Sequence, residues 1–203
     1  MVSIFGLLFV LVGVIFLYIS FLNKINGHLV LGVVSLVVGM VFMFIGFQET
    51  NQKQEAFKEF VKIYSDEEVT ASLEEYRRID TLTYNGEATV KEAYDAADNA
   101  QAALSEAISL LWEFDTSDYP KEIRGELHEA LSAIKESYHY RRFELQTAKN
   151  IIDNPKEKSL QTDLDYYRYK ADSNASKSLS ALKDAGEKLN MTADEIDNLM
   201  FQE

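Results

Sequence analysis

The chain has 203 residues, no cysteine and a formal net charge of −13. Without cysteine there is no disulfide, thiolate nucleophile, cysteine-ligated zinc or lipidated-cysteine anchor. Lys24 is the single charged side chain before Gln48, so residues 48–203 hold 19 basic and 33 acidic groups, a balance that disfavours nucleic acid and anionic lipid surfaces as partners.

Two apolar runs open the chain, Val2 to Leu22 and Leu29 to Phe47, each close to the ~20 residues a helix needs to cross a bilayer. The first lacks the basic start and small-residue cleavage site of a signal peptide, and a second run follows at once. They predict a transmembrane hairpin over residues 1–47 with a tight turn at Asn23 to His28. Gly32, Gly39 and Gly46 recur every seven residues, and Gly6, Gly13 and Ser35 offer a matching small-residue track. Such faces permit close helix contact, either within the hairpin or in a homo-oligomer. Lys24 in the turn favours a cytoplasmic turn and external termini, whereas Lys53, Lys58 and Lys62 after the second run argue the reverse.

Residues 48–203 read as an acidic, all-α domain, with abundant Ala, Glu, Lys and Leu and only two prolines. Helices are expected at Gln48 to Leu82, Ala88 to Phe114, Lys121 to Asp153 and Glu157 to Asn190. The breaks are a Ser65/Glu68 capping box, an Asn85-Gly86 turn, an Asp115 to Pro120 loop with Pro placed for a helix start, and Asn154-Pro155. Thr192 with Glu195 opens a short final helix. Apolar residues recur at three- and four-residue steps: Ala93, Ala97, Ala100, Leu104, Ala107, Ile108 and Leu111 in the second segment, and Ile123, Leu127, Ala130, Ile134, Tyr138, Leu145, Ala148 and Ile152 in the third. Short connections then predict an antiparallel up-down-up-down four-helix bundle.

With turns centred near residues 85, 117 and 155, this bundle brings EYRRI (75–79), YHYRR (138–142) and YYRYK (166–170) to one height, beside Tyr94, Asp95 and Asp98. Tyr76, Arg77, Arg78, Tyr138, Tyr140, Arg141, Arg142, Tyr167, Arg168 and Tyr169 are therefore the candidate interaction or anion-binding residues. Tyr and Arg dominate the energetic centres of interfaces, and arginine forks hold carboxylate or phosphate. The structural use of the same residues is core support, with Arg141 laid along the apolar stripe and paired to Asp95 or Asp98.

No catalytic constellation is visible. Glu136 and His139 form one Glu-x-x-His, but a di-iron site needs a second copy. His128 and His139 lie three turns apart, and there is no phosphate loop, nucleophile elbow or HExxH. No cofactor, metal or enzymatic activity is expected.

The segment YPKEIRGELHEALSAIKESYHYRRFELQTAKNIID, with KADSNASKSLSALKDAGEKL at 170–189, resembles helical surface domains of Gram-positive membrane-anchored proteins and lipoproteins. Pro120, Leu127, His128 and Asp153 carry the likeness, which covers about half the chain; a helical hairpin replaces the lipidated cysteine. The resemblance implies an extracytoplasmic domain. The expected function is that of a membrane-anchored, non-enzymatic bundle presenting a surface to a protein partner. The alternative is a ligand-sensing bundle that holds a small anion through the Arg/Tyr belt.

Overall fold

A computed structural model of the chain describes the backbone of residues 2–23, 26–63 and 89–200, and side chains over 5–19, 31–63 and 89–200. All regular structure among the described residues is helical: α1 (Val2–Asn23), α2 (Asn26–Lys62), α3 (Val90–Glu113), a 3-10 turn (Thr116–Asp118), α4 (Arg124–Asp153), α5 (Lys158–Lys188) and α6 (Ala193–Met200). The chain divides into two compact units, Met1–Glu55 and Ala56–Glu203. The expected Ser65/Glu68 cap and Asn85-Gly86 turn lie outside the described residues, as does most of the first bundle segment.

In the first unit, α1 and the early part of α2 pack antiparallel through glycine. A Cβ on Gly6 would stand 2.9 Å from the Met43 nitrogen, one on Gly13 2.9 Å from the Gly32 carbonyl oxygen, and one on Gly39 2.8 Å from the Gly6 carbonyl oxygen. Only hydrogen fits there, so the expected small-residue tracks meet each other inside one chain. Phe9 and Phe42 stack beside the seam at 6.0 Å. The side chains pointing away are large and apolar, Phe5, Leu8, Leu11, Ile15, Val34, Val37, Val41 and Phe44 among them. Among the described residues, one helix, Leu31–Lys62, is long and apolar enough to cross a membrane, and Phe5–Ile19 is a shorter apolar helix.

The second unit buries apolar residues in the ordinary way. Phe57 and Phe60 are fully buried, in one cluster with Leu104, Leu111, Ile123, Leu127, Leu182 and Ile196. The alanine face foreseen on α3 is buried throughout, with Ala96 added to it. Helices α4 and α5 run antiparallel, and two buried serines tie them reciprocally: Ser137 donates to the Ala171 carbonyl and Ser178 to the Ala130 carbonyl, both at 2.8 Å. Small side chains that also satisfy their hydroxyls let the two backbones approach closely.

The helix ends follow local chemistry. Thr89 and Glu92 form a capping box that opens α3, and Thr192 with Glu195 forms the expected one at α6. Helix α5 stops in a Schellman arrangement: Asn190 adopts φ 60°, and the Met191 and Asn190 amides bond the Gly186 and Glu187 carbonyls. One boundary differs from expectation. Helix α4 begins at Arg124, not after Pro120, because Ile123 turns into the core and Arg124 reaches back to the Ser117 and Tyr119 carbonyls.

Candidate functional site

The connection between α3 and α4 controls the site. Phe114, Asp115 and Tyr119 are extended, with ψ of 122°, 124° and 161°, so the chain travels on past the end of α3 before turning into α4. As a result Tyr94 donates to Asp153 and Lys149 pairs with Asp98, whereas a symmetric turn would have set this part of α3 opposite Tyr140. The α3 part of the expected belt therefore joins the Asp153 end of α4. Arg141 pairs with neither Asp95 nor Asp98. The hydrogen bond to Asp153 raises the Tyr94 phenol above its ordinary range.

Between α4 and α5 the expected alignment is present, and it holds a residue that composition and spacing did not single out. Glu144 is 3% exposed. Its Oε2 accepts from Arg141 at 3.0 Å and its Oε1 from Arg168 Nε at 2.8 Å, while Arg141 also bridges to Asp172. A buried carboxylate persists only when paired and hydrogen-bonded. The signal available in the sequence was position: Glu144 adjoins Leu145 and lies one turn from Arg141, on the side of α4 that faces a neighbour. An acid in a glutamate-rich chain is easily read as solvated, which is why it passed unnoticed.

The remaining candidates take separate places. Tyr138 is 2% exposed and belongs to the core. Tyr140 and Tyr167 stack at 6.4 Å, Phe143 meets Tyr167 at 5.4 Å, and Tyr166 meets Tyr167 edge-on at 5.5 Å. Phe143 and Tyr166 are about half exposed and Tyr169 is 68% exposed. Lys170 stands 5.7 Å over the Tyr166 ring. Tyr140, Phe143, Tyr166 and Tyr167 thus form a contiguous ring cluster spanning α4 and α5, with Phe143 and Tyr166 its exposed members, next to a clamp that locks the two helices together. Arg142 turns to another side of α4, where it lines a small cavity with Gln101, His139, Phe143 and Gln146. Tyr76, Arg77, Arg78 and Lys24 lie outside the described residues.

Among the described residues, fold and site together define an all-helical protein with one helix long and apolar enough to cross a membrane and an arginine–glutamate clamp beside a partly exposed ring cluster. No family model matches the sequence, and no curated protein or solved structure matches it either.

Proposed function

We propose that this chain is a membrane-anchored, non-enzymatic protein whose α1/α2 pair spans the bilayer twice and whose helical domain, a bundle, presents an aromatic surface to a protein partner outside the cytoplasm. The observation that carries the partner reading is the ring cluster of Tyr140, Phe143, Tyr166 and Tyr167. Phe143 and Tyr166 are exposed on a platform of half-buried Tyr140 and Tyr167, and such a group of rings has the composition of an interface centre. The anchor reading is supported by the inverted packing of the first unit, with glycines inward and large apolar side chains outward, an arrangement stable in hydrocarbon and costly in water. The outward placement rests on Lys24 in the turn and on the resemblance to surface domains. The anion-sensing alternative is weakened because Arg141 and Arg168 already hold Glu144. The seam glycines are engaged within the chain, so a homo-oligomer through the same faces would have to displace a helix.

Two experiments test this. Absence of native cysteine allows Asn26→Cys and, separately, Asn154→Cys to be labelled on intact cells with a membrane-impermeant maleimide. Labelling at position 154 alone is expected, and labelling at position 26 alone would overturn the placement. A photo-crosslinking amino acid at Phe143 should give a discrete protein adduct in native membranes, absent when the probe replaces exposed Asp184. Equal adducts from both positions, or none from Phe143, would overturn the interface.

A further inference from the structure

Helix α6 has eight residues, well short of the ~12–15 that an isolated helix needs to persist in water. It is helical because it is docked. The capping box of Thr192 and Glu195 shapes its first turn but does not fasten it to the domain. The attachment itself is narrow. Ile196 is the one buried residue of the helix, with Leu199 and Met200 partly covered. The ion pair of Lys183 with Asp197, at 2.8 Å, is about half exposed on both sides, where such a pair contributes little.

The one buried side chain has a specific seat. A Cβ on Gly186 would stand 2.6 Å from Ile196 Cδ1 and 3.4 Å from Phe57 Cε1. Ile196 of α6 and the Phe57 ring of α2 therefore rest side by side on bare backbone of α5. Glu195 is held below the ordinary carboxylate range first by its Thr192 bonds and then by the Lys58 ammonium, which sets α6 beside the same turn of α2. Phe57 is fully buried. The connection from α5 into α6 runs through Asn190 at φ 60°, and a few residues at an element end suffice to absorb the dihedral change of a hinge. A segment held by so little apolar burial opens at a lower free energy than helices that share the main core.

We propose that α6 is a releasable latch: it opens as a unit while α3, α4 and α5 stay folded, and its opening uncovers Phe57 near the end of α2. The state of the latch thereby sets whether α2 offers Phe57 as an apolar contact. The inference does not depend on the ring-cluster interface.

Hydrogen exchange of the full-length protein in detergent, read by mass spectrometry, tests the opening. Amides of α6 should exchange at least about 100-fold faster than those in the middle of α4, yet more slowly than an unstructured chain. Gly186→Ala places a methyl against Ile196 and should speed α6 exchange by at least about a further tenfold, leaving α4 unchanged. The absence of native cysteine lets the uncovering be read separately. Phe57→Cys should react with a thiol reagent at least about tenfold faster in the Gly186→Ala background than with Gly186 retained. Ala107→Cys, at a fully buried position of α3, should react equally slowly in both. The proposal is overturned if α6 exchanges in step with α4 or without protection, or if Gly186→Ala fails to speed α6. It is overturned equally if Gly186→Ala speeds α6 but leaves Phe57→Cys unmoved, or speeds Ala107→Cys as much as Phe57→Cys.

Discussion

Arg168 on α5 donates through Nε to Oε1 of Glu144 on α4 at 2.8 Å, and this bond crosses between helices at a carboxylate almost fully removed from water. Arg141 completes the clamp from the same helix as Glu144. Removing the carboxylate takes from Arg141, whose side chain is 15% exposed, its buried charge partner and leaves it Asp172 on the solvent side. Glu144→Ala should therefore destabilise the domain by about 2–4 kcal/mol. Arg168 is half in solvent, so Arg168→Ala should cost less, about 1 kcal/mol. Urea unfolding followed by circular dichroism gives both values, and equal losses would refute the clamp.

Gly39 leaves no room for a side chain: a Cβ there would lie 2.8 Å from the Val10 nitrogen and 2.8 Å from the Gly6 carbonyl oxygen, both backbone atoms. Gly39→Val must push α1 away from α2. Cysteines placed at Phe9 and Phe42, whose rings stack at 6.0 Å, should crosslink efficiently in the parent and poorly in the Gly39→Val background. Unchanged crosslinking would mean the seam does not hold the two helices.

Asn190 sits at φ 60° to close α5. Asn190→Gly should leave stability unchanged or raise it slightly, whereas Asn190→Ala should lower it by about 1 kcal/mol, because a Cβ is disfavoured in the left-handed region. Thermal melting of the two variants checks the sign of the difference.

Several carboxylates are held below their ordinary range. The Thr89 amide does this for Glu92, the Thr192 amide for Glu195, the Ser117 hydroxyl for Asp115 and Lys188 for Glu126. A lowered folded-state value means that the charged form is the one folding stabilises. Their contribution is complete above the ordinary carboxylate range and is lost as pH falls through the lowered values. The melting temperature should thus hold from neutrality down to the carboxylate range and then fall toward about pH 3. A Glu92→Gln/Glu195→Gln protein should start lower and show a shallower acid-side fall.

The features legible in the order of residues are local ones. The apolar runs before Gln48, the seven-residue glycine spacing, the alanine face of α3, the Thr192/Glu195 cap and the stop at Asn154-Pro155 all follow from side-chain size, periodicity and backbone preference, which act within a few residues. Even the alignment of Arg141 with Arg168 was legible, since Asn154 to Glu157 is a short connection that leaves the two helices little freedom to slide. Tertiary structure decided the rest. The extended residues Phe114, Asp115 and Tyr119 on either side of the 3-10 turn, with Ile123 drawn into the core, moved α3 along α4 and sent Tyr94 and Asp98 to Asp153 and Lys149. The same packing removed Glu144 from water, turning one acid among many into the partner of two arginines, and left Arg142 facing a cavity instead of the belt. Register and burial depend on how far a loop travels and on which neighbour covers each face, and neither is written in the spacing of any single helix.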